Sequence, residues 1–107
     1  AILHTKERYL NEIGLDYYGA ARMSSLNGNK KRALEEIDIA LKYDKDAENT
    51  VAIAADYFAY GLILLKGECT NDEKQRAKNA ILWASSVYNA GGYYEESQNC
   101  KKVADSL

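Results

Sequence analysis

The fold is decided by residues 14–47, which read GLDYYGAARMSSLNGNKKRALEEIDIALKYDKDA. Here Tyr17, Ala20 and Ala21 fall on one face of a helix, and an Asn-Gly-Asn turn follows at residues 27–29. Apolar residues then recur at helical spacing, at Ala33, Ile37, Ala40 and Leu41. The alanines at 33 and 40 are one heptad apart, and their small side chains allow two helix backbones to approach closely. The stretch therefore predicts two closely packed antiparallel helices.

This pattern resembles the tetratricopeptide repeat, a helix–turn–helix unit of about 34 residues. The family's turn glycine and second-helix alanines are matched by Gly28, Ala33 and Ala40. The chain departs from the pattern at Lys45, where the family usually has proline, and at Ser97, where it usually has alanine. The resemblance implies an all-α fold of antiparallel helix hairpins in a right-handed superhelix, with a binding surface in place of a catalytic pocket.

The whole chain predicts about five helices in one domain, residues 1–107. Thr5 is a candidate N-cap for the first helix, Thr50 for the third, and Thr70 or Asn71 for the fourth. The third helix is apolar nearly all round, which is typical of a central helix. The first predicted helix ends near Leu26. The other four cover about residues 30–43, 51–66, 71–90 and 93–107.

The predicted organisation is a first repeat at 14–47, a second helix pair at 50–90, and a capping or following helix at 93–107. Two registers are compatible with the second half. In the first, which we favour, Tyr57 and Gly61 of the third helix pair with Ala77 and Ala84 of the fourth. In the other, the fourth and fifth helices form a repeat around the glycines at 91 and 92.

Composition excludes several classes of partner. The chain has 107 residues, 47% hydrophobic and 28% charged, and a formal net charge of −2, so it lacks the basic surface that nucleic acids require. The longest apolar run, residues 57–65, is too short to span a bilayer, so we expect no membrane insertion. The chain contains no proline, which is costly inside helices and whose absence therefore favours a helical fold.

The sequence predicts no catalytic residue, metal site or cofactor. His4 is the single histidine, and no cysteine or carboxylate lies near it at ligand spacing. There is no phosphate-binding loop and no nucleophile elbow. The protein is therefore expected not to be an enzyme.

Cys69 and Cys100 are expected to be unpaired. In an antiparallel arrangement of the last two helices they lie roughly 20 Å apart, whereas a disulfide needs a Cα separation of about 4.4–6.8 Å. Free thiols slightly favour a reducing, cytoplasmic compartment. A start at Ala1 is compatible with signal-peptide removal, so an exported form is the alternative.

The family's ligands usually lie in a concave groove lined by the first helix of each repeat. By position, the resemblance implies a partner-binding surface made of Leu15, Tyr18, Arg22, Ser25, Phe58 and Leu62. Arg22 is the only basic residue among the positions with which one variant of the family grips a C-terminal carboxylate, so that mode of binding is not expected. An alternative is that Phe58 and Leu62 are simply packed beneath the last helix or a neighbouring chain.

Three functional hypotheses follow. The leading one is a non-catalytic interaction module that binds a partner protein or peptide, or a second copy of itself. The second is a structural subunit of a larger assembly or filament, since nine tyrosines and one tryptophan suit half-buried contacts. The third is an accessory domain of an enzyme whose catalytic part lies elsewhere.

Overall fold

A computed structural model describes residues 2–107 of the chain, with side chains from Thr5 onward. All regular secondary structure in this part is helical, which confirms the predicted all-α class. The five helices are α1 (Ile2–Leu26), α2 (Lys30–Asp46), α3 (Thr50–Leu65), α4 (Asn71–Ala90) and α5 (Tyr94–Asp105). Each helix packs against the next, and α1 also contacts α3. The superhelical arrangement implied by the tetratricopeptide resemblance stays a prediction.

Three of the four connections are the same tight turn. In the first, the N–H of Asn29 donates to the carbonyl oxygen of Ser24 (2.8 Å), and Gly28 has a φ of 79°. This is the Schellman arrangement, which requires one residue in the left-handed region. The same hydrogen bonds close the turns at Gly92 (φ 84°) and Glu48 (φ 53°). Glu48 is the one non-glycine with positive φ among the described residues, so the α2–α3 turn carries backbone strain that the others avoid.

The helix pairs of both registers considered for the second half are in contact. The first register pairs α3 with α4, and the second pairs α4 with α5. The Schellman turn between α1 and α2 recurs between α4 and α5, whereas a longer segment, residues 66–70, joins α3 to α4. In the α3–α4 pair, a β-carbon on Gly61 would overlap the Ile81 side chain. Absence of a side chain at Gly61 thus permits close packing of these two helices.

Several predicted helix boundaries were wrong. Thr5 lies inside α1, which begins at Ile2, and α2 continues to Asp46 because no residue interrupts it after Tyr43. Asn49, and not Thr50, caps α3, since its side-chain oxygen accepts from the N–H of Ala52 (3.2 Å). Asn49 is the N-cap and Glu48 before it has a left-handed backbone, so Thr50 is the first helical residue.

Of the two candidate caps for α4, Thr70 is the one used. Its hydroxyl accepts from the N–H of Glu73 (3.1 Å), and the Glu73 carboxylate accepts from the N–H of Thr70 (3.2 Å). This reciprocal capping box satisfies two N–H groups that would otherwise have no partner in the helix.

The core consists of two clusters, and α3 contributes to both. The first joins α1, α2 and α3 through Ala21, Ala33, Ile37, Ala40, Ala59 and Ile63. The second joins α3, α4 and α5 through Ala54, Ile81, Ala84, Tyr88, Cys100 and Ala104. The prediction that the third helix is central is therefore correct. Ala33 and Ala40 are fully buried, at the α1–α2 contact that their spacing predicted.

Candidate functional site

Five of the six residues implied by the resemblance line one groove, between α1 and α3. These are Tyr18, Arg22, Ser25, Phe58 and Leu62. The remaining lining residues are Leu26, Ala59, Ile63 and Lys66, and the enclosed volume is about 410 Å³. We call this surface the α1–α3 groove.

The groove has an apolar floor and a basic rim. Ala59 and Ile63 are buried at its base, while Tyr18 and Phe58 are half-buried. On the rim, the Arg22 guanidinium carbon lies 5.9 Å from the centre of the Tyr18 ring, a cation–π distance.

One end of the groove is closed by a hydrogen bond between its two helices. The Lys66 ammonium donates to the carbonyl oxygen of Ser25 (2.7 Å), so a cation at the end of α3 is fixed near the end of α1. The rim therefore carries two positive side chains, Arg22 and Lys66, above an uncharged floor.

Leucines in this groove remain open to solvent. Leu62 is 45% exposed and Leu26 is 70% exposed. Phe58 packs against the second core cluster and stays half-buried, whereas the described part of the chain leaves Leu62 uncovered. The groove therefore combines exposed leucines with half-buried aromatic rings.

The sixth residue, Leu15, lies on a second cavity of about 290 Å³ beside the groove. Tyr18 lines both cavities, so they adjoin at its ring. The remaining lining residues are Asn11, Asp44, Asn49, Ala52, Ala55 and Asp56. We call this cavity the Asp44–Asp56 pocket.

Asp44 of α2 and Asp56 of α3 are buried in this pocket, 3% and 1% exposed. The two carboxyl groups are close enough to interact with each other. Burial, followed by the hydrogen bond and the negative charge of Asp44, raises the pKa of Asp56 to about 9. The Asp56 Oδ2 atom has no N–H or O–H partner among the described residues.

Sequence reasoning missed this carboxyl pair. The available signal was that Asp56 is the only charged residue in α3, TVAIAADYFAYGLILL. A lone charge inside a helix that is apolar on every face has to be buried, and a buried carboxyl group needs a partner. Asp44 gave a weaker signal because it lies near the end of an amphipathic helix.

The described residues contain no group of three or more histidine, cysteine, aspartate or glutamate side chains that could hold a metal ion. Both cysteines are free, as predicted, with Cys69 exposed and Cys100 buried. Burial raises the pKa of the Cys100 thiol, which makes it a poor nucleophile. The His4 side chain lies outside the described side chains.

None of the described helices combines the length and the apolar character that crossing a membrane requires. No protein-family model, curated protein or solved structure matches this chain. The tetratricopeptide resemblance therefore stays a prediction, and function has to be argued from the geometry of the site.

Proposed function

We propose that this protein is a non-catalytic interaction module that binds an apolar segment of a partner protein in the α1–α3 groove. The observation that carries the proposal is the exposure of Leu62 and Leu26 beside the half-buried rings of Tyr18 and Phe58. An occupant that covered these side chains would remove apolar surface from water, the main favourable contribution to most protein association.

The groove also favours a particular charge in the occupant's flanking residues. Arg22 and Lys66 lie at the rim, where opposite charges steer encounter and set orientation while contributing little affinity. A segment with apolar anchors and an acidic flank therefore fits best. The outer face of α2 has the opposite character, because Lys31, Arg32 and Glu35 are exposed charges that water already solvates.

The test selects binding peptides from a displayed random library and measures their affinity for variants. We expect Leu62→Asp to weaken binding by at least about 2 kcal/mol, roughly thirtyfold, because it places a charge on the groove surface. Leu82→Asp is the matched control, since Leu82 is an exposed leucine of α4 outside the groove. Phe58→Ala and Tyr18→Ala should also weaken binding, whereas Glu35→Ala should not. If Glu35→Ala is damaging and the groove variants bind normally, α2 carries the contact and the proposal fails.

A second candidate, assembly with copies of itself, draws on a different surface. Trp83 is 55% exposed on α4, where it meets Tyr57 edge-on at 6.3 Å between ring centres, and Tyr94 of α5 is also exposed. A chain with one apolar surface on α1 and α3 and another on α4 and α5 can associate head to tail. Light scattering over a range of concentrations distinguishes the two, since an adaptor stays monomeric and a polymer grows.

A further inference from the structure

The Asp44–Asp56 pocket contains two carboxyl groups, and no positively charged side chain in the described part of the chain pairs with them. Neither carboxylate forms an ion pair with a described lysine or arginine side chain. Two neighbouring buried carboxyl groups disfavour each other's ionisation, so a single negative charge on the pair is favoured over two. Buried charges are normally paired, and an unpaired one is costly.

The walls of the pocket are apolar, although its base is acidic. Leu15, Tyr18, Ala52 and Ala55 surround the approach to the carboxyl groups. At the side, the Asn49 amide donates to the Asn11 side-chain oxygen (3.0 Å), so these two polar groups are already partly satisfied by each other. An occupant therefore needs an aliphatic stem and a cationic end that donates hydrogen bonds.

We propose that the Asp44–Asp56 pocket binds the ammonium group of a lysine side chain from the partner segment that occupies the α1–α3 groove. This inference rests on the proposed function, because the pocket and the groove adjoin at Tyr18. A lysine has four methylene groups to lie along the apolar walls and an ammonium that carries three N–H donors. One of those donors can bond to Asp56 Oδ2, an acceptor atom that is buried and has no hydrogen-bond partner among the described residues. The single positive charge of the ammonium balances the single charge of the pair.

The pocket and the groove are therefore expected to bind different types of residue in one partner segment. The groove takes apolar anchors, and the pocket takes a lysine toward the end of the groove at which Tyr18 and Leu15 lie, away from Lys66. Lys66, at the far end of the groove, would repel a lysine placed there, which favours the orientation in which the lysine of the segment lies at the pocket.

The probe is n-butylammonium, the side chain of lysine without its backbone, titrated into the isotopically labelled protein. Amide resonances of Ala52 and Ala55 report occupancy, and 1-butanol is the neutral control of similar size. We expect saturable shifts with n-butylammonium and binding of 1-butanol at least about tenfold weaker. Equal affinity for the two compounds would overturn the proposal, and tighter binding of n-butylguanidinium would overturn the choice of lysine.

Asp44→Asn and Asp56→Asn should each weaken n-butylammonium binding by about tenfold or more, because each removes a carboxylate acceptor. Asp46→Asn is the matched control, an exposed aspartate at the end of α2, and should leave binding unchanged. If an asparagine variant fails to fold, Ala52→Leu provides a second test, since it keeps both carboxyl groups and fills the pocket. Normal binding to Ala52→Leu would overturn the proposal.

Failure of this inference is distinguishable from failure of the proposed function. Leu62→Asp should abolish peptide binding while n-butylammonium still binds, because Leu62 lines the groove and not the pocket. Peptide selection without enrichment of lysine, together with normal groove-variant effects, would overturn the pocket assignment alone.

Discussion

Gly14 of α1 lies directly against the carboxylate of Asp44 on α2, with no room for a side chain between them. A β-carbon added to Gly14 would overlap Asp44 Oδ1. The absence of a side chain at Gly14 thus allows α1 to approach the Asp44 carboxylate, so the packing of the first hairpin and the chemistry of the pocket depend on the same contact.

We expect Gly14→Ala to lower the free energy of unfolding by about 1–3 kcal/mol, the usual cost of overpacking. Alanine is otherwise favoured over glycine inside a helix by about 0.5–1 kcal/mol. Gly19→Ala is the matched control, since Gly19 is in the same helix and its added β-carbon meets no atom within 4 Å. Urea unfolding should show Gly19→Ala as stabilising and Gly14→Ala as destabilising. Stabilisation by both would show that α1 and α2 do not meet at Gly14.

Stability should fall as pH rises, through Asp56. The pKa of this carboxyl is raised from 3.8 to about 9 in the folded state. The folded state therefore holds a proton that the unfolded state releases, so the contribution is fully present below the unfolded pKa of 3.8 and is lost as pH rises through the folded pKa of about 9.

Asp56→Asn should remove this dependence, because an amide does not titrate in this range. We expect the variant to be more stable than the parent at about pH 8, by about 1 kcal/mol or more, because folding of the parent at that pH requires Asp56 to take up a proton. The gain should shrink toward about pH 4, near the unfolded pKa of the carboxyl group. Denaturant unfolding across this range checks it, with Asp46→Asn as the exposed control. A stability difference independent of pH would contradict the raised pKa of Asp56.

Ser85 and Ser97 should be energetically coupled. The Ser85 hydroxyl lies 2.9 Å from the Ser97 carbonyl oxygen, and the Ser97 hydroxyl lies 2.8 Å from the Ser85 carbonyl oxygen, so α4 and α5 exchange buried hydrogen bonds. Each single alanine variant should cost about 0.5–1.5 kcal/mol. The double variant should cost less than the sum, because the two hydroxyl oxygens also lie 2.9 Å from each other and either single variant already removes that contact. Additive costs in a double-mutant cycle would contradict the reciprocal pairing.

The turn at Glu48 should be improved by glycine. Left-handed backbone costs a non-glycine residue about 1–2 kcal/mol, and the two equivalent turns already contain Gly28 and Gly92. We expect Glu48→Gly to raise the melting temperature. The free energy of unfolding should increase by about 0.5–1 kcal/mol, once the backbone entropy that glycine loses on folding is included. Gly92→Ala is the reciprocal control and should lower the melting temperature. A destabilised Glu48→Gly would indicate that the glutamate side chain makes a contact that offsets the strain.

Helix ends were predictable from the sequence where a helix-breaking glycine or a capping side chain lies at the end itself. The glycines at 28 and 92 marked two turns correctly, and Thr70 was among the candidate caps for α4. The end of α2 was predicted too early because the turn that follows it uses Glu48, a residue with no intrinsic preference for the left-handed region. The role of Ser97 was not predictable, because its hydrogen-bonding partner, Ser85, lies on another helix.

The sequence by itself determined the helical class, the close approach of the first two helices at Ala33 and Ala40, and the central position of the third helix. These follow from apolar spacing and residue size, which act within one or two turns of helix. Tertiary structure alone decided that Asp44 and Asp56 are buried in one pocket, with Asp44 against Gly14, and that Leu62 stays open to solvent. Both outcomes depend on how close three separate helices come to one another, a distance that no spacing within a single helix encodes.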